Sequence, residues 1–170
     1  MSSLFPAAIQ ASADQLVRAA ADAGLRIATA ETVTGGLLAA TLTEVPGVSK
    51  VFERGFVLYH QDAKTTGLGV DPALAAEYGA VSQPVTSALA LGLANNTDAD
   101  VGVAVTGYAG PTGGNDNDPV GTIYLAGFDR DGRAIGQREV FTGDRLTVKL
   151  SAVAAALALL QKLVSGLVDT

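Results

Sequence analysis

The chain has no cysteine and no tryptophan, a single histidine, and only 5% aromatic residues. Without cysteine there is no disulfide framework, no thiolate metal site and no thiol nucleophile. With His60 the one histidine, a multi-histidine metal cluster is excluded, and a Ser–His–Asp triad exists only if His60 is its base. Charge is also scarce. Charged residues make up 16%, the net charge is -6, and no Lys/Arg run is present. A broad basic face for nucleic acid is therefore not expected. No basic segment followed by an apolar run opens the chain, so no signal peptide is read. The apolar stretch over residues 152–160 is too short to span a bilayer, which leaves no membrane partner and a cytoplasmic location as the expectation.

What is abundant is small and apolar. Hydrophobic residues reach 48% of 170, with Ala and Val abundant among them, and Gly adds 20 more small residues. This length and composition predict one domain over residues 1–170, with helices packed closely on a sheet. Apolar spacing predicts a first helix up to about Ala23 with Gly24 as its stop, then a strand over 25–30. Thr34 is a candidate N-cap for a helix over 35–42. A short strand over 55–59 leads to a helix holding Asp62 and Lys64. Asp71-Pro72 and Ser82 open two further helices. The small apolar run over 101–106 reads as a strand covered on both faces. After a long loop over 107–119, residues 120–128 and 133–141 form a hairpin. The last helix starts near Asp144, with Leu146, Leu150, Val153, Leu157, Leu160, Val164 and Leu167 in steps of three and four. Together these elements predict an α/β fold, a three-layer α/β/α sandwich around a mixed, mostly parallel sheet with a late β-hairpin.

Three loops after strands would gather at the carboxyl edge of such a sheet, where ligands bind. In Glu31-Thr32-Val33-Thr34-Gly35-Gly36, two hydroxyls sit beside backbone N–H groups that can hold a phosphate or an oxyanion. The same segment reads equally as a capped helix start. In Tyr59-His60-Gln61-Asp62-Ala63-Lys64, a lysine at a strand–helix junction is a candidate base if burial lowers its pKa, or else a surface lysine whose stem packs on apolar neighbours. Its Tyr-x4-Lys spacing differs from the Tyr-x3-Lys of short-chain dehydrogenases. The loop Gly107-Tyr108-Ala109-Gly110-Pro111-Thr112-Gly113-Gly114 lacks the Gly-Lys-Ser/Thr of a nucleotide-triphosphate loop, yet permits close backbone approach to a ligand. Asn115-Asp116-Asn117-Asp118 lacks the spaced ligands of an EF-hand and reads as a solvated turn. Arg145, opening the last helix, can clamp a phosphate or pair with a carboxylate.

Taken in order, these segments resemble the CinA C-terminal domain family. The family's Ala-Glu-Ser-x-Thr-Gly-Gly stands here as Ala30-Glu31-Thr32-Val33-Thr34-Gly35-Gly36, followed by Val45-Pro46-Gly47-Val48-Ser49. Its Tyr-Ser-Asn-x-x-Lys stands as Tyr59-His60-Gln61-Asp62-Ala63-Lys64. Gly79-Ala80-Val81-Ser82, the loop from Thr106 to Gly114, Pro119-Val120-Gly121-Thr122 and Phe141-Thr142-Gly143-Asp144-Arg145 also match. The resemblance implies hydrolysis of the amide of nicotinamide mononucleotide to nicotinic acid mononucleotide, a step of pyridine nucleotide salvage, without metal or cofactor. It implies Thr32 as nucleophile, Lys64 as base and Tyr59 between them. Thr34, Gly35, Gly36, Thr106, Gly107, Gly110, Gly113 and Arg145 would bind the nucleotide, and a homodimer is the expected assembly. Thr32 replaces the family's serine, and His60 and Gln61 replace its Ser and Asn. A β-methyl restricts χ1 at the nucleophile. That leaves two readings, a working amidase and a nucleotide-binding regulatory relative that has lost its turnover.

Overall fold

The computed structural model describes residues 3–170. In chain order the elements are α1 (Ala7–Asp22), β1 (Ile27–Glu31), α2 (Leu37–Thr43), β2 (Phe52–Val57), α3 (Gln61–Leu68), α4 (Pro72–Tyr78), α5 (Gln83–Asn96), β3 (Val101–Gly107), β4 (Thr122–Asp129), β5 (Ala134–Val140) and α6 (Arg145–Val168). The five strands form one sheet in the order β2-β1-β3-β4-β5. Both β2 and β3 lie parallel to β1, while β4 is antiparallel to β3 and to β5. Only β4 therefore runs against the others, and the expected α/β architecture with its late hairpin is the one observed.

The strands sort their side chains by size between the two faces. On β3, Val101, Val103 and Val105 point into the larger cluster with α1, α2 and α6, while Ala104 points into the smaller one with α5. Likewise Ile27 faces the first cluster, and Ala28 and Ala30 the second. Small residues on one face let α5 lie close to the sheet, and branched residues on the other fill the space under α6. Period-two alternation thus sets both layers from one strand sequence.

The regular stripe of α6 belongs mainly to this core. Val153, Leu157, Leu160 and Val164 are buried, Leu150 and Leu167 pack at its margin, and Leu146 is exposed. Burying each leucine contributes roughly 1.5–3 kcal/mol. The helix is continuous for 24 residues, longer than the apolar stretch over 152–160 suggested, and by length and composition alone it is long enough to cross a membrane. Its apolar side packs against the sheet and α1.

One boundary departs from expectation in a way that bears on the site. Helix α2 begins at Leu37, not Gly35, and its N-cap is Gly36 at φ 98°, a left-handed conformation that favours glycine. Thr34 is not the cap. The Glu31 side chain reaches over the turn and takes the Leu38 and Ala39 amides at the start of α2, and the Thr34 hydroxyl donates to it.

Candidate active site

The ends of β1, β2 and β3 open at the same edge of the sheet, and the segments that follow them enclose a cavity of about 290 Å³. That volume lies at the small end of ligand cavities, which run roughly 300–1,000 Å³. Thr32, Tyr59 and Lys64 all line it, as do Gly107, Gly110 and Arg145. Residues far apart in sequence therefore share one cleft.

Thr32 follows β1 directly. Its amide and its hydroxyl both donate to the Val105 carbonyl, at 3.1 and 3.0 Å. The oxygen is fixed against β3, while its proton can still rotate about the Cβ–Oγ1 bond. The next residue, Val33, also lines the cavity. Its amide has no intramolecular partner among the described residues, so it is available to an oxyanion.

Lys64 lies on α3, whose N-cap is His60; the Nδ1 atom of His60 accepts from the Asp62 amide. The lysine side chain is only 8% exposed, and burial lowers the pKa of its amine from the ordinary 10.5. It makes no ion pair among the described residues. A desolvated, unpaired amine gives up its proton more readily than a free lysine, which suits it to act as a proton acceptor. The reading of Lys64 as a surface lysine is thus replaced by a buried one.

Tyr59 does not hold Lys64. Its hydroxyl accepts from Arg145 Nη2 at 3.1 Å, and the ring is 64% exposed. Tyr59 sits in the extended link before the His60 cap, so it meets α6 while Lys64, a turn into α3, points inward. The other arm of Arg145 donates to the Gly110 carbonyl at 2.7 Å. Arg145 thereby ties the glycine loop to the tyrosine, and its remaining N–H donors are free for a ligand.

The other expected binding residues are not among those that line the cavity. Thr34 is fully buried with its hydroxyl on Glu31 Oε1 at 2.7 Å. Gly35 donates its amide to the Thr32 carbonyl at 3.1 Å, so that amide is not available to an oxyanion. Gly36 caps α2 and faces Val57. Thr106 is fully buried, and its hydroxyl meets Thr86 on α5 at 2.8 Å. Gly113 stands against the ring of Tyr108, a cavity residue, where a Cβ would approach to 3.3 Å. The Asn115 side chain accepts from the amides of Asn117 and Asp118, as a turn would have it.

Some contributors were given no part in the site from the sequence. Ala80 and Val81 also line the cavity. Lys149 brings its ammonium to 3.7 Å from where a Cβ on Gly35 would stand. Its spacing of four residues from Arg145 was a legible signal that both cations share one face of α6.

The family model for the CinA C-terminal domain matches residues 9–164. The chain belongs to this family. It is 44% identical over 157 residues to a CinA-like protein of Mycobacterium tuberculosis, covering 92% of this chain but 36% of that one. The chain thus spans about a third of the length of the mycobacterial relatives. It is 42% identical over 144 residues to the nicotinamide-nucleotide amidohydrolase PncC of Escherichia coli, covering 85% of this chain and 87% of that one. A crystal structure of a competence/damage inducible protein from Agrobacterium tumefaciens superposes with a TM-score of 0.93 at 39% identity, covering 95% of this chain and 99% of that one. A CinA superfamily structure from Escherichia coli gives 0.87 at 36% identity, covering 95% of each chain.

Proposed function

We propose that this chain hydrolyses the carboxamide of nicotinamide mononucleotide, releasing ammonia and nicotinic acid mononucleotide. The observation that supports the reading is that Thr32 and the buried Lys64, which makes no ion pair among the described residues, both line one cavity. The likeness to PncC, whose name gives that activity, supports the substrate.

In the first step the neutral Lys64 amine takes the hydroxyl proton as Thr32 Oγ1 attacks the amide carbon. The Val33 amide donates to the oxyanion that forms on the carbonyl oxygen. Lys64 then returns its proton to the departing nitrogen, which leaves as ammonia, and the acyl group stays on Thr32 as an ester. Water attacks that ester with Lys64 again as base, giving the carboxylic acid and free Thr32. Arg145 binds the phosphate from the mouth of the cavity, with Lys149 a second cation on the same face of α6. Tyr59 holds the Arg145 guanidinium in place and thereby acts on binding. No step calls for a metal or cofactor.

Ammonia release from nicotinamide mononucleotide, measured beside calorimetric binding, tests this. Wild-type turnover well above a Thr32→Ala background is expected. Tight binding with no turnover in either protein would replace the amidase by a nucleotide-binding regulatory domain.

A further inference from the structure

Glu31 touches neither the cavity nor anything that would enter it, yet it is fully buried and makes three hydrogen bonds. Its Oε1 accepts from the Thr34 hydroxyl at 2.7 Å and from the Leu38 amide at 2.8 Å, and its Oε2 accepts from the Ala39 amide at 3.0 Å. Its backbone is held in the middle of the sheet, paired with Val57 on β2 and Val105 on β3. One residue thus joins the end of β1 to the start of α2, and Thr32 lies inside the loop so closed.

We propose that Glu31 is a positioning residue for Thr32, setting where the hydroxyl stands relative to Lys64. The inference rests on the amidase reading and adds to it the device that aims the nucleophile. Ordinary capping does not account for the arrangement. A Ser, Thr, Asp or Asn beside the helix start supplies a cap worth about 1 kcal/mol without a buried carboxyl group. The cap position itself is Gly36, which has no side chain, and the nearest hydroxyl, Thr34, donates to Glu31. Burying a carboxylate costs several kcal/mol unless its oxygens are satisfied, which is more than a cap returns to a helix of seven residues. What the carboxylate adds is rigidity. Three bonds from two atoms fix the turn at both ends, and Thr32 Oγ1 is held from the opposite side by Val105.

The test uses Glu31→Gln, which keeps the shape but replaces one acceptor oxygen by an amide donor facing a backbone N–H. The expected result is a kcat lower by about a hundredfold, as small misplacements of reacting atoms produce. KM should stay within about threefold, because the walls come from other segments. Thr34→Val should lower kcat in the same sense and Thr34→Ser should restore it, which keeps the test alive if Glu31→Gln does not fold. A loss of melting temperature with unchanged kcat in these variants would overturn the proposal and leave a plain helix cap.

The absence of native cysteine allows a readout that needs no amidase activity. Thr32→Cys creates a single thiol, whose alkylation by iodoacetamide follows its thiolate fraction. Beside Lys64 its pH profile should lie below the roughly 8.5 of a free thiol. Adding Glu31→Gln should return the profile toward that value. A displaced profile that Glu31→Gln abolishes, in a protein whose wild type releases no ammonia, sustains the positioning role and sinks the amidase. A profile that Glu31→Gln leaves unmoved overturns the positioning role even where the wild type is active.

Discussion

The turn after β1 carries Thr32 and the segment after β2 carries Lys64, the two groups proposed to react, and they are built in opposite ways. The first is braced from within, with Glu31, Thr32 and Thr34 all buried and bonded to one another or to β3. The second is braced from outside. His60 caps α3 at the surface, and Tyr59, largely exposed, is held by Arg145 from the start of α6. Inside bracing tolerates little, because each lost partner leaves a buried polar group unpaired, whereas surface bracing can be replaced by water. The comparison teaches that Thr32 is positioned by the fold, and the Tyr59–Arg145 side of the cavity by contacts that can loosen and re-form.

The largest effect should fall on Thr32 itself. Thr32→Ala is expected to lower kcat by at least about a thousandfold, since removing a nucleophile leaves only binding and oxyanion contacts. Thr32→Ser keeps the oxygen and removes the methyl that restricts rotation, so it should match or exceed wild type. Steady-state ammonia release on the three proteins decides the point. A serine variant as inactive as the alanine one would mean that the inside bracing holds something other than a nucleophile.

Lys64→Met should come next, with a loss of about 10²–10⁴ in kcat, the range of general acid–base catalysis. The wild-type rate should rise with pH through an inflection below 10.5, the ordinary lysine value, because burial favours the neutral amine. If the inflection survives in Lys64→Met, another group is the base. Stability carries the opposite sign. The folded-state pKa is lowered, so between that lowered value and 10.5 the unfolded chain binds more protons, and wild-type stability rises with pH across this window. Below the window the cost of a buried charge is present in full. Lys64→Met lacks that cost and should melt higher than wild type at pH values below the window, with the difference shrinking as pH rises through it. Calorimetry at two pH values reads both parts.

Much of the fold was legible because its signals are local and repeated. Gly24 ends α1, Asp71 and Ser82 cap their helices, and the stripe of α6 is long. The gathering of Thr32, Tyr59 and Lys64 followed from placing each after a strand at one sheet edge, once motif order had suggested which loops mattered. The wiring was not legible. Whether Thr34 caps a helix or donates to Glu31 depends on how far a side chain reaches across a turn. Whether Tyr59 turns to Lys64 or to Arg145 depends on where α6 docks, and Arg145 lies 86 residues away in sequence. Contacts of that separation carry no periodic signal.

Arg145 is where the surface-braced side can be broken most. Arg145→Gln should raise KM for the mononucleotide by about tenfold while leaving kcat within a few fold, because it removes binding shared by ground and transition states. It should have little effect on the corresponding nucleoside, which lacks the phosphate. Equal losses on both substrates would assign Arg145 to holding the glycine loop through Gly110 rather than to the phosphate.

The smallest effect is expected at Tyr59, and it sharpens the comparison most. Tyr59→Phe deletes a single hydroxyl that accepts one bond from Arg145, at a ring largely in solvent. The guanidinium keeps its bond to the Gly110 carbonyl, and water can take the place of the phenol. A hydrogen bond of this kind contributes about 0.5–1.5 kcal/mol, and exposure puts it at the low end. KM should therefore rise about two- to threefold, with kcat and melting temperature unchanged. The resemblance that set Tyr59 between nucleophile and base predicts something else, a fall in kcat of a hundredfold or more with a changed pH profile. A kcat-against-KM comparison of Tyr59→Phe with wild type separates the two. A large kcat loss would show that Tyr59 leaves Arg145 and turns to Lys64 when substrate binds, so that the outer brace becomes part of the chemistry.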